Sequence, residues 1–135
     1  HRRCLEIAAG DGTLTRFLRD RGADVTATDD YSWEHAVRYP DGVSRMEARE
    51  ALASHRPEVV ICSWPPAANG FERQVFRTRS VCMYIVIASR HQHAAGNWKE
   101  YEEQVFFDFR EEKRLSRLVL PPELDPAVYV FSRKQ

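Results

Sequence analysis

Three cysteines are all that this chain of 135 residues contains, and no two of them form a C-x-x-C pair. An odd number without such spacing excludes a disulfide framework and gives no zinc signature. Charge of one sign is also missing: twenty basic residues balance twenty acidic ones, with no basic tail, stripe or cluster interleaved with aromatics. The electrostatic footprint of a nucleic-acid binder is therefore absent, and no nucleic acid is expected as a partner. No apolar run is long enough to span a bilayer and no signal peptide is visible, so no membrane partner is expected either. The patterns G-x-S-x-G and H-E-x-x-H, the Walker loop and the EF-hand loop do not occur. Their absence removes the common hydrolase, metalloprotease, nucleotidase and calcium readings. Cys4, Cys62 and Cys82 fall in or beside apolar stretches and read as small buried hydrophobes in a reducing, cytoplasmic setting.

What is present is an alternation of short apolar runs and helical patterns along residues 1–135, read as one domain. That length supports one core and leaves no room for a separate substrate-recognition domain. The chain enters its first strand almost directly from His1, and an additional N-terminal segment, domain or partner chain is expected to accompany it. Strands are expected at Cys4–Ala8, Asp24–Thr28, Val43–Met46, Glu58–Cys62 and Val81–Ala88. Between them, helices are expected from Thr13, with Leu14, Phe17 and Leu18 as the apolar face, and at Trp33–Arg38, Ala48–Ser54 and Phe71–Phe76. A helix at Trp98–Gln104 precedes two alternating stretches, Val105–Phe109 and Ala127–Ser132. This order predicts an α/β, Rossmann-like sheet, mostly parallel, with helices on both faces.

The most informative run is Leu5-Glu6-Ile7-Ala8-Ala9-Gly10-Asp11-Gly12-Thr13, a strand ending in an acidic glycine turn that leads into a helix. Glycine lets the backbone turn tightly and a ligand approach closely, and the helix beyond presents free N–H groups. The second strand ends in Asp29-Asp30, where nucleoside-binding α/β folds place an acid on the ribose hydroxyls. Successive strand residues point to opposite faces, so one of the two acids should meet the ligand. The dinucleotide fingerprint requires a third small residue, which Thr13-Leu14-Thr15 does not supply, and Glu6 would repel a pyrophosphate. Carboxylates beside the turn suit a ligand with a cationic centre. S-adenosylmethionine (SAM) is favoured over NAD.

On these residues the chain resembles the class I SAM-dependent methyltransferases, whose first motif reads roughly apolar-E/D-x-G-x-G-x-G. Glu6 falls at the acidic position, Gly10 and Gly12 at the second and third glycines, and Ala8 at the first. The resemblance implies seven strands, the last two stretches forming an antiparallel pair, and a cofactor site of Glu6, Ala8, Gly10, Asp11, Gly12, Asp29 or Asp30, Glu47, Ala48, Ser63 and Trp64. Within it Asp29 would hold the ribose, while Glu47 and the Ala48 N–H would read the adenine edge. Ser63-Trp64-Pro65-Pro66 is similar to the D/N/S-P-P-aromatic signature of amino-methylating enzymes. A tryptophan intervenes and no aromatic follows Pro66, so adenine N6 methylation is not carried over.

Two roles close the reading. Ser63 and His91 are the candidate catalytic residues, because Ser63 ends the fourth strand and His91 follows the fifth, where an imidazole could act as a general base. His91 and His93 also read as solvated loop residues; no third ligand at a suitable spacing accompanies them, so no metal is expected. Tyr31 and His35 are alternative pocket residues. The expected activity is methyl transfer from SAM to an O or N atom of a small-molecule acceptor. The alternative is a methyltransferase-like domain that serves binding or assembly in a larger protein.

Overall fold

A computed structural model describes residues 2–135. Strand β1 is Cys4–Glu6 and β2 is Val25–Asp29, with helix α1, Thr13–Asp20, between them. Then come β3 (Val43–Arg45), α2 (Ala48–His55), β4 (Val59–Ser63) and α3 (Glu72–Arg77). The C-terminal part holds β5 (Met83–Ser89), α4 (Trp98–Glu103), β6 (Phe107–Glu111), α5 (Lys113–Ser116) and β7 (Pro126–Arg133). The seven strands form one sheet in the order β3-β2-β1-β4-β5-β7-β6. The first five run parallel, and β7 inserts antiparallel between β5 and β6.

This order fixes where a ligand can bind. From β1 the chain winds outward to β2 and β3, then returns to place β4 on the other side of β1. The loops leaving β1 and β4 therefore diverge and open a crevice beyond their carboxyl ends. On one face of the strands beneath, Leu5, Ile7, Val60, Cys62, Val86 and Ala88 are all buried. On the other, Ile61 is buried beside Glu6, and Val59, Ile85 and Ile87 are half-buried, so helices cover the two faces unequally. Aromatic rings complete the core beyond β5. Phe76 meets Tyr84 edge-on at 5.7 Å and Phe131 at 5.0 Å, geometries that suit the ring quadrupole.

Several local expectations are corrected. Trp33–Arg38 is a run of turns rather than a helix; Trp33 to Ala36 are exposed, so no buried stripe holds a single turn together. On α1 the apolar face is not the buried one: Phe17 is 52% exposed, whereas Thr15 is buried because its hydroxyl donates to the Glu6 carboxylate at 2.6 Å. Helix α5 was not expected; Ser116 there accepts a bond from the Val128 N–H at 2.9 Å. Cys62 is buried and Cys4 partly so, but Cys82 is exposed, and all three are free thiols. Among the described residues no helix is long and apolar enough to cross a membrane.

Candidate functional site

The turn after β1 is built from left-handed residues. Ala8, Gly10 and Gly12 have φ of 49°, 59° and 76°. The Ala9 N–H donates to the Thr28 carbonyl at 2.9 Å and the Gly12 N–H to that of Ala9 at 3.0 Å. The two glycines differ in purpose. A Cβ on Gly12 would lie 2.7 Å from Val43 Cγ2, so this glycine lets α1 and β3 approach. A Cβ on Gly10 would meet nothing within 4 Å. Gly12 stands at the N-cap of α1, and Asp11 before it supplies the acceptor at the helix entrance: its Oδ1 accepts from the Thr13 N–H at 3.0 Å and the Thr13 hydroxyl at 2.7 Å. Those two donors hold the Asp11 carboxyl below the usual carboxylate range.

Asp29 ties this turn to the end of β2. Its Oδ2 accepts from the Gly10 N–H at 2.9 Å and its Oδ1 from the Tyr31 N–H at 2.8 Å. Each carboxylate oxygen keeps a second lone pair for a further donor. Asp30 accepts from the Ser32 N–H at 2.9 Å, and the Ser32 side chain first, then this N–H, holds its carboxyl below the usual range. Contrary to the one-in-two expectation for strand residues, both acids line the same hollow, because β2 ends at Asp29 and Asp30 already belongs to the turn.

That hollow, about 330 Å³, lies beyond the carboxyl ends of the strands. Asp29, Asp30, Ala8, Gly10, Glu47 and Ala48 line it, with Trp64 from the end of β4. Sequence reasoning missed Trp33, Tyr39, Met46 and Phe71, which complete its flat apolar walls. For Trp33 and Tyr39 the signal was the density of aromatics between β2 and β3, where Tyr31 and Tyr39 stack at 4.1 Å; Met46 and Phe71 carried none. Glu47 sits exposed at the N-cap of α2, its side chain making no cap bond.

A second, more open hollow shares Ala8 and Gly10 with the first and continues over α1. Glu6, Asp11, Leu14, Phe17 and Ser63 line it. Burial pushes the Glu6 carboxyl up to about 7, against the Thr15 hydroxyl bond that favours the anion. Gly12 lines neither hollow. Nor do His91 and His93: both are exposed, and the His91 N–H donates to Ser89 Oγ at 3.0 Å. The expected meeting of His91 with Ser63 is not found. His35 is exposed against Trp33, and the Tyr31 hydroxyl is spent on the Val43 carbonyl. Among the described residues no group of three or more His, Cys, Asp or Glu side chains could hold a metal ion.

The segment after β4 is held by a carboxylate that sequence reasoning also missed. Glu72 is fully buried and accepts from the Tyr84 hydroxyl at 2.6 Å, the Asn69 amide at 2.7 Å and the Asn97 N–H at 2.8 Å, and also from the Tyr101 hydroxyl. The Gly96 N–H donates to the Pro65 carbonyl at 2.8 Å. Trp64 is fixed in a left-handed conformation, φ 54°, with its N–H on the Ile87 carbonyl at 2.7 Å. A bulky residue there is strained, and such strain concentrates at functional sites.

No family model matches the chain, and no curated protein matches it. Solved structures do. A DNMT2 variant from Spodoptera frugiperda superposes with a TM-score of 0.60 at 11% identity, covering 99% of this chain and 50% of that one. The CurJ carbon methyltransferase gives 0.60 at 13%, covering 99% and 49%. The plantazolicin methyltransferase BpumL, solved with SAH, gives 0.60 at 10%, covering 98% and 76%. The chain thus spans about half the length of the first two. Strand order, the inserted antiparallel β7 and these likenesses together give the chain the fold of the class I SAM-dependent methyltransferases.

Proposed function

We propose that the chain binds SAM and directs methyl transfer to an O or N atom of a small-molecule acceptor. One observation carries the reading: two hollows meet at Ala8 and Gly10 over the switch point of the sheet, the first aromatic-walled with Asp29 at its edge, the second bearing Glu6 and Ser63. The residues suit the cofactor. Flat rings at Trp33, Tyr39 and Trp64 offer an adenine base stacking surface. The free lone pairs of Asp29 can accept from the hydroxyls of a ribose, with Asp30 beside it, and Glu47 and Ala48 stand where an adenine edge is read. The open space at Gly10 admits a close approach. Glu6 and Asp11 supply negative potential toward a sulfonium.

Bound there, SAM would supply an activated methyl group. The protein's part is to orient an acceptor at the mouth near Ser63 and Trp64, and positioning of this kind lowers a displacement barrier strongly. His91 takes no part in this scheme. The balanced charge of the chain supports a small acceptor rather than a nucleic acid, and the free thiols support a reducing compartment such as the cytoplasm.

A second reading, a binding or assembly module without transfer, draws support from the Asp29 oxygens already engaged by backbone and from a lining of Ser63's hollow that holds no histidine among the described residues. Calorimetric titration with SAM and SAH, followed by transfer of labelled methyl to a panel of amines and phenols, separates the two. Heat with transfer upholds the proposal. Heat without transfer across the panel favours the module, and no heat removes the cofactor from both.

A further inference from the structure

Strand β6 forms one edge of the sheet, and its hydrogen-bond parity can be read from both ends. The Lys134 N–H donates to the Phe106 carbonyl at 2.9 Å, and the Glu112 N–H donates to the Val128 carbonyl at 2.8 Å. Phe106, Asp108, Arg110 and Glu112 therefore direct their backbone groups at β7, while Phe107, Phe109 and Glu111 direct theirs outward. Gln104 covers the first of these. Its Oε1 accepts from the Phe107 N–H at 2.8 Å and its Nε2 donates to the Phe107 carbonyl at 2.9 Å. Among the described residues no side chain covers Phe109 or Glu111 in this way. An uncovered edge is a template for another strand.

The side chains say which strand. Phe109 is 41% exposed even though it stacks on Phe131 at 4.7 Å. Asp108 and Arg110 are exposed, and pleating puts them together on the opposite face from Phe109. The segment Phe107-Asp108-Phe109-Arg110-Glu111 is complementary to itself. Laid antiparallel about Phe109, each Asp108 faces the Arg110 of the second copy, and the two Phe109 rings adjoin. A register centred on Arg110 would instead oppose Arg110 to itself and Asp108 to Glu112. One centred on Asp108 would oppose Asp108 to itself. Like charges directly opposite destabilise a strand pair, so charge selects the Phe109 register.

We propose that β6 is a self-association edge, through which two copies of this chain join antiparallel about Phe109. Two reciprocal Asp108–Arg110 pairs set the register. Gln104 competes with Glu111 of the second copy for the Phe107 backbone, so it restrains the dimer. The interface is independent of the methyltransferase reading, because β6 is separated from the β1–β4 crevice by β5 and β7.

Sedimentation velocity of the chain over a range of concentrations tests this. A monomer–dimer equilibrium that weakens with salt is expected. Arg110→Asp should raise the dimer dissociation constant about tenfold or more. Asp108→Arg should act alike, the double exchange should recover the dimer, and Gln104→Ala should tighten it. Thermal melts of the exposed-site variants should match the parent, which separates lost pairing from lost folding. A monomer at every concentration overturns the proposal, as does a dimer indifferent to Arg110→Asp or a double exchange that fails to recover it.

Discussion

The backbone N–H of Gly10 donates to Asp29 Oδ2 at 2.9 Å, joining the turn after β1 to the end of β2. One carboxylate thus shapes the turn and faces the first hollow, and this double duty fixes what its removal should do. Asp29→Ala leaves the Gly10 and Tyr31 N–H groups without acceptors and should cost about 1–3 kcal/mol of stability. Asp29→Asn can keep one acceptor and should cost less. Both should weaken SAH binding by about tenfold or more, on the scale of a lost charge-assisted bond. His91→Ala should change neither quantity. Thermal melts beside calorimetry would reveal an error in the assignment as equal effects from Asp29 and His91.

The paired glycines separate folding from binding. Gly12→Ala meets Val43 Cγ2 at 2.7 Å and should destabilise by about 1–3 kcal/mol. Gly10→Ala meets nothing but adopts φ 59°, so it should cost only about 1–2 kcal/mol. Binding should follow the opposite order, Gly10→Ala harming SAH affinity more once both variants are compared folded. Ala8→Gly, at φ 49°, should stabilise by up to about 1 kcal/mol.

Glu6 makes stability depend on pH. Its carboxyl rises from an ordinary 4.5 to about 7 on folding, so the folded chain keeps a proton that the unfolded chain has released. The favourable contribution is complete below pH 4.5 and is lost as pH climbs through about 7, amounting to ~3 kcal/mol. Glu6→Gln should flatten that slope in denaturant titrations between pH 5 and 8. A cationic ligand favours the ionised form. Under the proposed function, SAM should therefore bind more tightly as pH rises over this window, while SAH, without the positive sulfur, should respond less. Equal pH responses of the two ligands would place Glu6 outside the sulfonium's reach.

Glu72 is the acceptor on which the segment after β4 depends. Glu72→Ala strands the Tyr84 and Tyr101 hydroxyls and the Asn97 N–H in the interior. It should cost about 3 kcal/mol or more, whereas Glu72→Gln should lose roughly half as much. Chemical denaturation of the two variants would show whether the carboxylate or merely its volume matters.

The sheet was legible because its strands announce themselves. Val59 to Cys62 and Met83 to Ala88 are apolar runs between turn residues, and Leu5 and Ile7 flank Glu6 ahead of a glycine turn; each forms a strand to within a few residues of its expected bounds. The turn after β1 and the acid at Asp29 were legible for a similar reason: their chemistry is local to a strand end. What could not be read depends on contacts between distant segments. Glu72 looks like an ordinary surface acid in sequence, and only the fold brings Tyr84, Tyr101 and Asn97 to it. Phe17 and Thr15 exchanged their expected burial because Glu6, nine residues before Thr15, needed a donor. His91 stood at the right place along the chain, yet it is exposed and lines neither hollow.

The two walls of the first hollow are anchored unequally. The wall that carries Trp64 and Phe71 is bolted through Asn69, Glu72 and Gly96 to distant parts of the chain. Apart from the Tyr31 and Ser32 N–H groups held by Asp29 and Asp30, the loop bonds of the wall that carries Trp33 and Tyr39 run among its own neighbours, Tyr31 to Val43. Any reshaping to grip a guest therefore falls to the Trp33 side, and the ordering entropy of capture is concentrated there. Bracing that side alone should slow release of the guest while leaving the fixed wall, and the choice of what docks against it, unaltered.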